Sequence, residues 1–103
     1  MLARHPEPAQ IRLEEVLSAL GNPIRLGIVR VLAELGEHSC GAVGTLVDPQ
    51  MSKSTLTHHW RVLRDSGVIW QQPHGREHML TLRREDLDKR YPGLLDAVLR
   101  DPR

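Results

Sequence analysis

The side chains best suited to chemistry are concentrated in one polar stretch of the chain, residues 53–66. Two hydroxyls, an imidazole and a guanidinium recur there at helical spacing, at Ser54, Thr57, His58 and Arg61. Short polar side chains of this kind can hydrogen-bond to base edges or to phosphates. Lys53 stands in the first turn of the same predicted helix, where a cation can meet a phosphate near the helix N-terminus. The chemistry indicated is recognition of a polyanion.

The sequence patterns typical of enzymes are missing from the chain. It contains no GxGxxG, GxxxxGK[ST], HExxH or CxxC pattern. Ser52 and Ser54 precede His58 and His59, but helix capping and groove contact explain these residues better than a nucleophile with its base. We therefore expect a binding protein that is not an enzyme and has no cofactor.

The helix that carries the polar strip has clear boundaries and two different sides. Ser52 is a good N-cap and Gly67 a good terminator. Leu56, Trp60 and Leu63 fall within about 60° of one another on a helical wheel. We therefore expect one side of this helix to pack against a core while the polar strip, with Ser52 and Lys53 at its start, faces outward.

The remaining patterns predict the elements around this helix. An apolar stripe over residues 13–20 ends at Gly21, and Asn22-Pro23 opens a second helix that Gly36 stops. A short helix is predicted over residues 40–47, strands over 68–72 and 78–83, and a last helix over 85–99 that Pro92 should kink or restart. The order α-α-α-α-β-β-α predicts a winged helix-turn-helix, mainly α with a β-hairpin wing, in the α+β class.

The loop between the two strands holds a second group of candidate contacts. Residues 73–77 include Gly75, with His74 before it and Arg76 after it. The tip of a wing reaches toward the minor groove, whose negative potential attracts arginine. We expect Arg76 to contact DNA there, whereas for His74 an ordinary solvated turn is nearly as well supported.

Length, composition and charge fit a small single domain. The 103 residues are 40% hydrophobic and 26% charged, with a net charge of +1. Residues 53–84 hold six Lys or Arg against two Asp or Glu, so the positive charge is concentrated around the polar strip. Residues 1–10 and 100–103 are predicted to be tails, the first of them mobile, and residues 11–99 the folded domain.

The cysteine content and the hydropathy of the chain indicate the cellular compartment in which it works. A single cysteine, Cys40, excludes an internal disulfide and suits a reducing cytoplasm. No apolar run approaches the roughly 20 residues that span a membrane. The prediction is a cytoplasmic protein with no membrane partner.

Three segments together resemble the ArsR/SmtB group of bacterial repressors. They are Leu20-Gly21-Asn22-Pro23-Ile24-Arg25-Leu26, residues 52–69, and Gly75-Arg76-Glu77 before Leu80-Thr81-Leu82. The resemblance covers roughly residues 13–99. One departure is Trp60, where the family more often has leucine.

The resemblance implies a homodimer that binds double-stranded operator DNA and blocks transcription. It implies that the first and last helices form the dimer interface, here Leu13, Val16, Leu17, Leu20, Leu87, Tyr91, Leu94, Leu95 and Val98. Spare apolar surface on two terminal amphipathic helices agrees with this. The alternative is that both helices simply complete the core of a monomer.

Many members of this family bind metal, but the residues for it are sparse here. His38 and Cys40 could supply two ligands and His5 a third across a dimer, whereas a thiolate site generally needs three or four. The last helix offers carboxylates and no histidine. We expect no metal site, with a metal-responsive repressor as an alternative and any other effector unidentified. A winged helix that binds a protein partner instead of an operator is the other alternative.

Overall fold

The computed structural model of the chain describes residues 5–100, so residues 1–4 and 101–103 of the predicted tails lie outside the described part. A 3-10 turn at Pro8–Gln10 precedes the regular elements. The helices are α1 (Leu13–Leu20), α2 (Pro23–Leu35), α3 (Cys40–Val47), α4 (Lys53–Asp65), α5 (Arg84–Arg90) and α6 (Leu94–Leu99). The strands are β1 (His38–Ser39), β2 (Ile69–His74) and β3 (Glu77–Leu82). This is the predicted winged helix-turn-helix.

Side-chain caps begin α2 and α4 where the sequence predicts them. The Asn22 side chain accepts hydrogen bonds from the backbone N–H groups of Ile24 and Arg25, at 2.9 and 3.1 Å. Ser52 Oγ accepts from the N–H of Thr55 at 3.2 Å. Each cap satisfies N–H groups that have no partner within the helix, which fixes the residue at which the helix begins.

Gly67 redirects the chain from α4 into the sheet. Its φ of +88° lies in the left-handed region, and the N–H of Val68 reaches the carbonyl of Leu63 at 2.9 Å. A Cβ at this position would also lie 2.5 Å from Cγ1 of Ile11. Both the backbone angle and the close packing therefore require glycine here.

The sheet is antiparallel, with the strand order β1-β3-β2. β2 and β3 pair from Ile69–Leu82 to His74–Glu77, so only Gly75 and Arg76 form the turn. The predicted loop over residues 73–77 is therefore too long, because Pro73, His74 and Glu77 belong to the strands. The two-residue strand β1, which pairs His38 with Leu80, was not predicted because it is too short to show an alternating pattern.

One core joins the helices to the inner face of the sheet. Buried side chains come from every helix and from β2 and β3, including Val16, Ile28, Val43, Leu63, Ile69, Leu80, Leu87 and Leu95. α4 contributes Trp60 as well as Leu63. The bulky Trp60 thus packs inward, as predicted, and leaves the opposite side of α4 free.

The N-terminal segment contacts the domain from His5 onward, whereas the sequence predicts a folded domain only from residue 11. His5 Nε2 accepts a hydrogen bond from the backbone N–H of Gln71 at 2.9 Å, and the carbonyl of Pro6 accepts one from Arg83 at 2.9 Å. Ile11 is 1% exposed. Within residues 5–10 the predicted tail is therefore attached to the sheet, because an edge strand and a buried arginine offer it donors.

The C-terminal helix is interrupted at the position that the sequence indicates. α5 ends at Arg90, and α6 restarts at Leu94 after Pro92 and after Gly93, whose φ is +86°. Proline cannot donate the N–H that a continuous helix would need there.

No single helix within residues 5–100 is long and apolar enough to cross a membrane. α1 and α2 reach the required composition only as a pair, and the break between them bends by 98°.

Candidate nucleic-acid interface

The packing of α3 against α4 sets the position of the polar strip. A Cβ on Gly44 would lie 2.8 Å from Cδ1 of Leu56, so the two helices approach closely because α3 has no side chain at this point. The turn between them is held by the carboxylate of Asp48, which accepts from the N–H of Gln50 at 3.0 Å. These contacts form a helix-turn-helix with α4 as its second helix.

The polar strip of α4 faces solvent along its whole length. The four side chains predicted to form it are all exposed, as is Lys53 at its start: Ser54, Thr57, His58 and Arg61. On the opposite side, Trp60 and Leu63 are 5% and 0% exposed. The structure therefore brings the predicted residues together on one accessible face.

Ser52, also predicted to contact DNA, is exposed at the start of the strip and caps α4. Its hydroxyl donates to Thr55 Oγ1 at 2.9 Å and lies 3.3 Å from Ser54 Oγ, while it accepts from the N–H of Thr55. These hydrogen bonds keep the Ser52 hydroxyl at the helix start. It orients the first turn of α4 and the hydroxyls beside it.

His59, which the sequence places nearer the packing side, is buried. It is 7% exposed, and its Nδ1 lies 3.2 Å from Nη1 of Arg25. Arginine has only donors, so Nδ1 accepts and the ring is neutral in this arrangement. Burial, together with the charges of Arg25 and His58, lowers the pKa of His59 below its ordinary value of 6.5.

The wing presents its predicted residues beside α4. His74 ends β2 and Arg76 lies in the turn, and both are exposed. Gly75 has a φ of +66°, as a two-residue hairpin turn requires. One link between α4 and the wing was not predicted: Arg64 donates to Oε1 of Gln71 at 3.3 Å.

The charges on this face are mostly positive. Lys53, Arg61 and Arg76 make no ion pair with any other residue of the described range 5–100. Asp65 is paired with Arg64 at 3.0 Å, so its charge is partly compensated. Exposed cations without acidic partners can be drawn to phosphate groups.

The residues considered for a metal site have other partners. Cys40 Sγ accepts from Nε2 of Gln71 at 3.8 Å, and the Nδ1 of His38 lies 3.2 Å from the carbonyl of Gly36. His5 is held by the backbone of β2 in the same chain. Within residues 5–100, no three His, Cys, Asp or Glu side chains converge into a group that could hold a metal ion.

The residues predicted for a dimer interface fall into two groups. Four of them are buried inside the chain, with 0–6% of their surface exposed: Val16, Leu20, Leu87 and Leu95. Leu13 and Leu17 are 42% and 49% exposed. Tyr91, Leu94 and Val98 are half-buried at the edge of the core. The α1 stripe is therefore split between the core and the surface.

Comparison with known proteins defines the class of the chain. Residues 20–71 match the family model described as a helix-turn-helix domain. The chain is 32% identical to the uncharacterized HTH-type transcriptional regulator YceK of Bacillus subtilis (strain 168), over 86% of this chain and 87% of that protein. It is 35% identical to the arsenical resistance operon repressor of Staphylococcus xylosus, over 74% of this chain and 70% of that one.

A solved structure supports the same assignment at the level of the fold. The crystal structure of an ArsR family transcriptional regulator superposes with a TM-score of 0.68 at 22% identity, over 82% of this chain and 90% of that one. The chain belongs to the ArsR-type winged helix-turn-helix family of DNA-binding transcriptional regulators. This class is the one that the sequence predicts, and it is not a class of enzymes.

Proposed function

We propose that this protein is a cytoplasmic repressor of bacterial transcription that binds an operator as a homodimer. In this proposal α4 enters the major groove and the turn of the wing reaches the adjoining minor groove. The observation that carries it is the polar strip of α4, which is exposed and lies opposite a buried apolar side.

The side chains of the strip suit a deep approach to DNA. Ser54 and Thr57 are short and can donate or accept, so they allow the helix axis to come close to the base edges. Arg61 can pair with a guanine through O6 and N7 or grip a phosphate. Lys53, beside the N-terminus of α4, suits a phosphate contact that fixes the register of the helix.

The wing supports the same orientation from a second element. Arg76 lies in a two-residue turn that leaves its guanidinium exposed. The hydrogen bond between Arg64 and Gln71 holds the strand that bears this turn beside α4. An arginine at such a tip is attracted by the negative potential of a narrow minor groove. His74, one residue before the turn, is proposed as a weaker contact.

The dimer is supported by the apolar surface that the monomer leaves uncovered. Leu13 and Leu17 are one helical turn apart on the outer side of α1. The hydroxyl of Tyr91 donates to the carbonyl of Ile11 at 3.1 Å, which brings the start of α6 near the start of α1. Leu94 and Val98 extend this apolar edge. A two-fold axis would let the same patch pair with itself.

Repression is supported by a relative's name rather than by the fold. The Staphylococcus xylosus protein is called an arsenical resistance operon repressor. A dimer bound near a promoter excludes the transcription machinery, which is the simplest mechanism of repression. Whether a metal relieves the repression is decided in the same experiment.

The test is fluorescence anisotropy with the DNA upstream of the protein's own gene, against a scrambled duplex, over a salt series. The wild type should prefer the upstream DNA by about 10³-fold or more. Arg61→Ala should lower that affinity by roughly 1–3 kcal/mol and reduce the preference. Divalent metals in parallel titrations would weaken binding if the metal-responsive alternative were correct.

A matched variant separates base contacts from general charge. Arg100→Ala removes the same charge from an exposed residue at the end of α6, far along the chain from the strip. It should keep the preference for the upstream DNA. Equal, weak binding of both duplexes by the wild type would instead favour a winged helix that contacts a protein partner, since the salt-dependent term alone carries no sequence preference.

A further inference from the structure

A cleft lies between α4 and the wing, and none of the contacts proposed for DNA accounts for its interior. It encloses about 460 Å³, within the range of about 300–1,000 Å³ common for small-molecule sites. Its lining is Cys40, Gly41, Lys53, Leu56, Thr57, Trp60, Gln71, Arg76, Glu77 and His78. The start of α3, the first two turns of α4 and both strands of the hairpin thus converge on it.

The floor of the cleft is apolar. Trp60 and Leu56 contribute an indole and an isobutyl group from successive turns of α4. Burial raises the pKa of the Cys40 thiol to about 11, so this side chain is neutral and behaves as a small apolar group. Gly41 leaves further room, because no atom lies within 4 Å of the position that its Cβ would occupy.

The rim of the cleft carries opposed charges with a positive excess. Lys53 lies on α4 and Arg76 on the wing, and neither forms an ion pair with a residue in the range 5–100. Glu77 is the one carboxylate in the lining. The amide of Gln71 is engaged by Arg64 and Cys40.

We propose that this cleft binds a small organic anion with an apolar body. The anionic group lies between Lys53 and Arg76, and the body packs on Trp60 and Leu56. Apolar walls with a few convergent polar groups are the usual composition of such sites. The inference about regulation rests on the proposed function: because Lys53 and Arg76 are also proposed to contact DNA, the ligand and the operator exclude each other.

Charge alone does not explain the arrangement. Cations that only contact DNA phosphates need no apolar surface behind them. The phosphate backbone of DNA has no apolar group that could cover the floor formed by Trp60 and Leu56. A ligand with an anionic group and an apolar body would contact the charged rim and the apolar floor at the same time. Its binding would therefore require an anionic group and an apolar body in the same molecule, which gives the test its three probes.

The probes are 1-naphthoate, the neutral 1-naphthalenemethanol and inorganic phosphate, each titrated into the full chain without DNA. The readout is the indole N–H signal of each tryptophan in ¹H–¹⁵N NMR spectra. The chain has two tryptophans, and Trp70 lies on the other face of β2, where Arg83 stacks on its ring at 3.7 Å. A Trp70→Phe variant assigns the two signals.

We expect 1-naphthoate to shift the Trp60 signal and to leave the Trp70 signal in place. The alcohol and phosphate should bind at least about fivefold more weakly, because each lacks one of the two contacts. Equal shifts by all three probes, or a shift confined to Trp70, would overturn the proposal. This part of the experiment does not depend on whether the protein binds DNA.

Two substitutions test the place of binding. Gly41→Leu fills the cleft from α3 and should abolish the shift, while Gly41→Ala at the same position should preserve it. Arg76→Gln, in an exposed turn, should weaken 1-naphthoate about three- to fivefold without affecting the alcohol. Unchanged affinity for 1-naphthoate in both Gly41→Leu and Arg76→Gln would place the ligand elsewhere.

Competition is then measured by adding 1-naphthoate to the protein bound to its upstream DNA. Mutual exclusion predicts that the apparent Kd for DNA rises in proportion to the ligand concentration and that Gly41→Leu removes this effect. Binding of 1-naphthoate together with a stable complex of all three components would overturn the regulatory part alone. Absence of specific DNA binding, with the Trp60 shift retained, would overturn the proposed function and leave the ligand site standing.

Discussion

Nη1 of Arg25 lies 3.2 Å from Nδ1 of His59, so a guanidinium from α2 reaches the buried side of the recognition helix. The same side chain donates through Nε to the carbonyl of Ala19 at 2.7 Å, at the end of α1. Arg25 therefore joins α1, α2 and α4. Because the polar strip lies on the other side of α4, this junction helps to set the direction in which the strip faces.

Replacing Arg25 should destabilise the fold. Arg25→Ala leaves the carbonyl of Ala19 and the ring of His59 without their donor, so the free energy of unfolding should fall by about 1–3 kcal/mol. Urea unfolding followed by circular dichroism measures this. The control is Arg61→Ala, an exposed position on the same helix as His59, which should change stability by less than about 0.5 kcal/mol. Equal losses in the two variants would contradict this role of Arg25.

The lowered pKa of His59 predicts a loss of stability in acid. The unfolded chain takes up a proton at this histidine near pH 6.5, whereas the folded protein resists it until lower pH. The unfolded state then binds more protons, so the free energy of unfolding should fall as the pH drops below about 6.5 and level off below the folded pKa. Urea unfolding at several pH values between 7.5 and 5 measures this slope.

A pair of glutamine variants isolates the contribution of His59. His59→Gln should be less stable than the wild type at pH 7.5 but should lose less stability on acidification. His74→Gln removes a histidine from the exposed wing and should keep the wild-type slope. If the two variants showed the same slope, the acid sensitivity would have to come from other groups.

Replacing Gly67, which follows α4, by alanine should destabilise the fold more than the same replacement at Gly36, which has a similar backbone angle. Gly67 and Gly36 have φ values of +88° and +77°, so alanine at either position incurs a backbone cost of about 1–2 kcal/mol. A Cβ on Gly67 would also collide with Ile11, whereas one on Gly36 meets nothing within 4 Å. Gly67→Ala should therefore cost about 1–3 kcal/mol more than Gly36→Ala in urea unfolding. Equal costs would mean that Ile11 moves aside freely.

The thiol of Cys40 should react slowly in the folded protein. Its pKa of about 11 leaves far less thiolate at pH 7.5 than an ordinary thiol has, and the thiolate is the reactive form. Alkylation by iodoacetamide, followed by mass spectrometry, should be roughly 100-fold slower in the native protein than in urea. The chain has no other cysteine, so the assay reports this residue alone. A native rate similar to that in urea would contradict the burial of the thiol.

Local signals explain which parts of the fold can be predicted from the sequence. Ser52 and Gly67 act on their own neighbours, so the bounds of α4 and the separation of its polar and apolar sides follow from residue types and helical spacing. The contact between His5 and Gln71 joins residues 66 positions apart, and no local pattern indicates it. The same holds for the link between Arg64 and Gln71, which depends on how the hairpin packs on α4.

The stripe of α1 shows where periodicity reaches its limit. Val16 and Leu17 belong to the same predicted apolar side, yet Val16 is 0% exposed and Leu17 is 49% exposed. A stripe this wide can cover both a core and a surface, and only the positions of α2 and α4 decide which residues face inward. Sequence alone could therefore place an apolar stripe on α1 but not say which of its side chains remain accessible.

The exposed leucines of that stripe are the residues whose substitution should disrupt the proposed dimer. Leu17→Glu should dissociate the proposed dimer. In a two-fold interface each protomer contributes the same residue, so the substitution removes two apolar side chains and introduces two charges. Analytical ultracentrifugation should show the dimer Kd raised by about 100-fold or more, while urea unfolding of the monomer changes little because Leu17 lies on its surface. Leu46→Glu is the matched control: Leu46 is 57% exposed on α3, away from α1, and its substitution should leave the dimer intact. Dissociation by Leu46→Glu but not by Leu17→Glu would move the interface from α1 to the helix-turn-helix itself, where it would compete with DNA.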